Sequence, residues 1–222
     1  MNQNSSSSRD PVVLNYENFQ LHESDVHLLI DDQWLNDIVI GFYMEYLNTD
    51  VFKNNSKVYF VTPQVVQCIK ECNVEDITVF LDPLVKDKNY SYIFFPLNDQ
   101  EQLHSVGGTH WSLVVYSALD RRLYHLDSIW NSNEKQARKL ALKLKFYFKD
   151  ILDIITPLPT RQQQNSYDCG IYLICNAENV AQCVCADSDI HNIDPVDQVD
   201  LKNKRASIVD LIYKLARRNI TL

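Results

Sequence analysis

Two apolar runs decide the fold: His110-Trp111-Ser112-Leu113-Val114-Val115-Tyr116, and then Arg122-Leu123-Tyr124-His125-Leu126-Asp127. With a few residues between them they read as a β-hairpin, although the turn carries no Asn-Gly signal. Apolar side chains occupy consecutive positions rather than alternate ones, so both strands are expected to be covered on both faces, at the centre of a sheet. A turn centred on Ala118-Leu119 sets His110 opposite Asp127, about 5 Å apart at Cβ. A slip of one residue would put the two on opposite faces, and a slip of two would leave them diagonal.

Working outward, Tyr90 to Leu97 reads as a further strand, and Asn98 to Gly108 as a polar loop ending in two of the chain's four glycines, expected to move. Lys57 to Val61 predicts a strand, with Thr62-Pro63 opening a helix through Val65, Val66 and Ile69. Leu35, Ile38, Val39, Phe42 and Tyr46 recur at helical spacing, predicting a helix over Trp34 to Leu47 with Asp31 or Asp32 as its cap. Pro11 to Phe19 reads as extended.

Downstream, a helix is predicted over Glu134 to Lys149, a strand over Ile151 to Ile155 and a loop over Thr156 to Arg161. A buried helix is predicted over Asp168 to Val184 and a loop over Ala186 to Lys204. A final amphipathic helix then carries Ile208, Leu211, Ile212 and Leu215. Unequally spaced strands and helices point to an α+β layered fold: one domain over residues 11–222, behind a disordered tail over residues 1–10.

The chain has 222 residues, 45% hydrophobic and 23% charged, enough to bury a core without disulfide or metal staples. Its net charge of -8 argues against a nucleic-acid partner. No apolar run suits a secretory leader or a membrane span, so a cytoplasmic or nuclear setting and no membrane partner are expected. The six cysteines should then be thiols.

Among them Cys169 stands out, in Asn165-Ser166-Tyr167-Asp168-Cys169-Gly170, where a long helix begins and exposed amides favour a thiolate. An isolated cysteine there is otherwise a small buried hydrophobe, so a base is required. His110, between the diglycine and a central strand, is the leading candidate, with Asp127 to orient it. His125 is a mid-strand rival. An oxyanion needs donors, and Gln163, one of three consecutive glutamines, is a candidate beside the Cys169 amide. Cys68, Cys72 and Cys175 read as packing residues. Cys183 and Cys185 lack the second ligand pair of a zinc site, so no metal or cofactor is expected.

Gly107-Gly108-Thr109-His110-Trp111-Ser112, Leu126-Asp127-Ser128 and Gln163 to Gly170, with Trp34-Leu35-Asn36-Asp37 upstream, resemble the catalytic pattern of the sentrin-specific, ubiquitin-like-protein proteases. Four motifs in this order make the likeness specific. The resemblance implies a papain-like α+β fold, a central mixed sheet packed against helices, and cleavage after the C-terminal Gly-Gly of a ubiquitin-like modifier. It implies that Cys169 is the nucleophile, His110 the base, Asp127 the orienting acid and Gln163 an oxyanion donor. Trp34 and Trp111 would wall a channel passable only by glycine, while Asn36, Asp37, Asn98, Gly107 and Gly108 would contact the modifier, Asp37 facing a basic residue. The short chain and Asp10-Pro11-Val12-Val13-Leu14 most resemble the deneddylating branch, implying the neddylation modifier and cullin conjugates as partners. A monomer is expected. The alternatives are a SUMO-specific protease of the same family, and a cysteine acyltransferase with the same His, Asp, Cys order, which would need basic residues near its site.

Overall fold

The structure, a computed structural model, describes residues 10–101 and 107–220. Residues 1–9 of the expected tail and residues 102–106 of the expected loop lie outside the described residues. The N-terminal extended segment is an antiparallel hairpin of β1 (Val12–Tyr16) and β2 (Phe19–His22). The Asp25 carboxylate accepts the His22 amide at 2.8 Å and turns the chain into α1 (Glu23–Ile30), a helix absent from the sequence reading.

The next helix, α2 (Asp37–Tyr46), begins later than predicted, and its cap is neither Asp31 nor Asp32. Those two are exposed, whereas the Asn36 side chain accepts the Val39 amide at 3.0 Å and satisfies one of the orphan donors of the first turn. β3 (Val58–Phe60) and α3 (Pro63–Glu71) follow as predicted, Pro63 occupying a first-turn position where a missing N–H costs nothing. α4 (Ile77–Val85) is a second unpredicted helix. It contains Pro83, and burial of Ile77, Leu81 and Val85 on one face offsets the lost hydrogen bond.

The main sheet comprises β3, β4 (Tyr92–Asn98), β5 (Trp111–Ser117), β6 (Arg122–Leu126) and, beyond α5 (Glu134–Tyr147), β7 (Thr156–Pro157), in the spatial order β3-β4-β5-β6-β7. Its outer pairs are parallel and its two central pairs antiparallel. β5 is central and wholly buried. Alternate residues feed two separate cores: Trp111, Leu113 and Val115 point toward α6 (Cys169–Cys185), α2 and α7 (Gln198–Ile220), while Val114 and Tyr116 point toward α3, α4 and α5. Phe60 stacks on Phe94 at 4.6 Å between ring centroids within the first core. Each such fully buried side chain contributes about 1.5–3 kcal/mol.

The hairpin register differs from the predicted one by two residues: Leu113 pairs with Leu126 and Ser117 with Arg122. The turn is longer because the Ser117 hydroxyl both donates to the Asp120 carboxylate (2.8 Å) and accepts the Asp120 amide (3.1 Å), and Arg121 takes a left-handed φ of 53°. Two further expectations fail. Ile151 to Ile155 is not a strand, since only Ile151 is buried and Leu152 and Ile154 are exposed; the strand is Thr156–Pro157, an edge position that tolerates proline. Gln198 to Lys204, expected as loop, is already part of α7.

Candidate active site

The shifted register makes His110 and Asp127 diagonal neighbours where β5 begins and β6 ends, and their side chains still meet. His110 Nε2 lies 2.6 Å from Asp127 Oδ1, with both residues buried. The Ile129 amide (3.1 Å) and the Asn133 amide (2.9 Å) donate to the same carboxylate, fixing its orientation. Burial opposes charge on Asp127, but His110 and those amides prevail and hold its pKa below the usual carboxylate range.

The other ring nitrogen, His110 Nδ1, is buried without a hydrogen-bond partner, and the Cys169 thiol lies close enough to the ring to raise its pKa. Burial would depress the histidine, yet the hydrogen bond to Asp127 and the nearby Cys169 outweigh it and raise the pKa from 6.5 to about 9. Cys169 is the first residue of α6 and 1% exposed. Three distant stretches therefore converge as sulfur, imidazole and carboxylate in series, the arrangement of a nucleophile, its base and an orienting acid. His125 takes no part. Buried in mid-strand, its ring Nε2 sits 2.9 Å from Ser112 Oγ, and burial lowers its pKa.

Gln163 is held in the loop before Cys169: its backbone amide donates to the Ser128 carbonyl (2.9 Å), its Oε1 accepts the Ser128 hydroxyl (2.6 Å) and its Nε2 donates to the Asn165 carbonyl (2.7 Å). The neighbouring Gln162 turns instead to the Asp127 and Thr160 carbonyls.

Beside this centre lies a cavity of about 590 Å³ whose lining includes Trp34, Asn36, Asp37, Asn98, Gly107, Gly108 and Trp111. All seven residues singled out in the sequence for substrate contact thus share one concave surface. The Trp111 indole donates to the Leu35 carbonyl at 2.8 Å, and the Trp34 indole donates to the Ser166 carbonyl. Gly170 lies so close to Leu35 that an added Cβ would sit 3.0 Å from the Leu35 Cβ, and this closeness draws the Trp34 segment against the start of α6. Gly108 has φ 93°, and a Cβ there would collide with the Asn98 side chain. Asn36 contributes mainly inward, capping α2 and donating to Asp25 at 2.6 Å.

The sequence reading missed several participants. Gln64, Gln67 and Cys68 also line the cavity, beside Gln100 from the Asn98 to Gly108 loop already expected to contact the modifier. Lys70, fully buried, donates to the Asn98 carbonyl at 2.8 Å and to the Gln100 carbonyl, and burial lowers its pKa to about 8. The signal available for Lys70 was a cation on the otherwise apolar face of α3 near Val66 and Ile69.

Residues 33–220 match the family model of the Ulp1 protease family, C-terminal catalytic domain. The chain is 38% identical over 213 residues to sentrin-specific protease 8 of Homo sapiens, covering 94% of this chain and 100% of that protein. It is 28% identical over 226 residues to NEDD8-specific protease 1 of Arabidopsis thaliana, covering 97% and 94%. Among solved structures, the Ulp1 protease domain in complex with Smt3, the yeast ortholog of SUMO, superposes with a TM-score of 0.71 at 21% identity, covering 95% of this chain and 90% of that one.

Proposed function

Because the chain belongs to the Ulp1 protease family, as a cysteine protease acting on ubiquitin-like modifiers, we propose that its substrate is the neddylation modifier, cleaved after the C-terminal Gly-Gly. In this reading the enzyme releases the modifier from lysine conjugates, cullins among them, and matures its precursor. The observation that carries the chemistry is the buried series of Cys169, His110 and Asp127. Cys169 Sγ attacks the terminal glycine carbonyl carbon with the thiol's proton already carried by His110 Nδ1. His110 then gives that proton to the departing lysine amine, leaving a thioester that water hydrolyses. Asp127 keeps Nδ1 directed at the sulfur by holding Nε2. The Cys169 backbone N–H, at a helix start with no side-chain cap, and the second N–H of Gln163 Nε2, the first being donated to the Asn165 carbonyl, are the donors assigned to the oxyanion.

The choice of modifier rests on relatives of this chain, one of which carries NEDD8 specificity in its name. The acyltransferase alternative lacks support, since no Lys or Arg lines the described cavity where a phosphorylated carrier would need one. Six free thiols suit a reducing compartment, cytoplasm or nucleus. A panel of ubiquitin-like modifiers bearing C-terminal electrophiles tests the reading: the neddylation probe should label Cys169 fastest. Labelling of the SUMO probe alone would reverse the modifier assignment. Cys169→Ala should bind the modifier without turning it over, and residual hydrolysis would remove Cys169 as nucleophile.

A further inference from the structure

The wall of the channel that carries Trp34 and the loop that carries Cys169 lie far apart in the chain, and one side chain from a third place touches both. Arg205, on α7, is 8% exposed. Its Nη1 donates to the Leu28 carbonyl at 2.8 Å and its Nη2 to the Gln33 carbonyl at 2.9 Å, at the end of α1 and immediately before Trp34. Its Nε donates to Asp168 Oδ1 at 2.8 Å and its Nη2 also to the Tyr167 carbonyl at 3.2 Å, the two residues immediately before Cys169. The Asp32 carboxylate lies 3.6 Å away and the Tyr167 ring 5.5 Å from the guanidinium carbon. The reaction sequence above makes no use of Arg205.

We propose that Arg205 is a positioning residue that holds the Trp34 wall of the channel in register with the Cys169 sulfur. The inference rests on the assignment of Trp34 to the channel and Cys169 to nucleophilic attack. A planar fork with several fixed, divergent N–H directions can serve the four acceptors on these two segments at once, whereas an ammonium of similar reach offers three donors from a single point. The only other side-chain hydrogen bond between these segments among the described residues is that from the Trp34 indole to Ser166, made by a half-exposed side chain. By contrast, the His110–Asp127 pair is fixed by β5, β6 and the Asn133 amide, none of which Arg205 touches. Loss of Arg205 should therefore disturb the placing of the Gly-Gly tail more than the chemistry of the thiol and imidazole.

The test compares Arg205→Lys and Arg205→Met with the wild-type enzyme. The readouts are kcat/KM on a C-terminal fluorogenic derivative of the modifier, the rate of Cys169 alkylation by iodoacetamide followed by peptide mass, and Tm. The expected result for Arg205→Lys is a fall in kcat/KM of about 10- to 100-fold, the scale of a roughly 1 Å misplacement. Alkylation should stay within about twofold of wild type, because it reports the thiol and its base alone. Wild-type kcat/KM in either folded variant would overturn the proposal, as would equal losses in cleavage and alkylation. Failure of both variants to fold would overturn it too, since Arg205 would then be a stability residue. The parent reading fails separately: a wild-type enzyme that prefers another modifier overturns the neddylation assignment, and the Arg205 comparison is then read on the modifier that is cleaved.

Discussion

The two partners in the proposed proton transfer are delivered by parts of the molecule built on different principles. His110 and Asp127 stand at the ends of paired strands, and the ladder, the turn and the Asn133 amide place them using contacts within a short span of chain. Cys169 follows a loop shaped by single side chains. Asn165 Oδ1 accepts the amides of Tyr167 (3.2 Å) and Asp168 (3.0 Å), Asn165 Nδ2 donates to Asp168 (2.7 Å), and Arg205 and Trp34 reach in from elsewhere. Arg205 and Leu28 are 177 positions apart. A site of this kind couples one locally determined half to one that exists only after the whole chain has folded.

The strongest way to break the comparison is to attack the local half chemically. Asp127→Asn preserves shape and removes the charge that holds His110 up, so kcat/KM should fall by at least about 100-fold. The pH profile carries the sign. With His110 raised from 6.5 to about 9, its proton is retained through neutrality and the alkaline limb of kcat/KM is expected near 9. Without the carboxylate, burial acts with less opposition and the limb must move to lower pH. The same shift means that the stability contributed by His110 is complete below 6.5 and is lost as pH rises through about 9, which thermal unfolding across that window measures. An alkaline limb unmoved in Asp127→Asn would show that the pair is not what sets the base.

These two halves were not equally legible. The hairpin was readable because continuous apolar runs at strand length leave few alternatives, and its two-residue register error came from a turn whose Ser117–Asp120 bonds follow no familiar dipeptide signal. The diagonal placement that resulted keeps His110 and Asp127 on one face, so the side chains meet despite the error. The buried helix after Asp168 was equally plain. α1 and α4 were missed because α1 is only eight residues long and α4 contains a proline, and tertiary burial decides both. Arg205 left no local trace: one arginine on a charged amphipathic helix reads as solvated until the fold brings two loops to it.

Trp111 bridges the halves, since it sits on β5 yet donates to the Leu35 carbonyl on the Trp34 segment. Trp111→Phe keeps most of the apolar area and removes that donor, leaving a buried carbonyl unsatisfied at about 1–3 kcal/mol. Cleavage of the modifier derivative should fall by about tenfold, on the scale of a modest misplacement of the tail. A folded variant with unchanged kcat/KM would mean that β5 and the Trp34 segment keep their register through packing alone, and the comparison would lose its bridge.

The smallest expected effect concerns Asn36, where sequence and structure differ over what a residue is for. Its motif context suggests contact with the modifier, whereas its Oδ1 accepts the Val39 amide and its Nδ2 donates to Asp25. If capping is its main task, Asn36→Ala should lower stability by about 1 kcal/mol, or about 2–4 °C in Tm, with KM for the modifier changed by less than about twofold. Asn36→Asp, which keeps an acceptor at the helix start, should restore part of the stability despite sitting close to Asp25. A tenfold rise in KM with an unaltered Tm would give the opposite answer. Asn36 would then turn outward to meet the modifier, and the distally assembled half of the site would include a residue that the free enzyme keeps occupied with its own backbone.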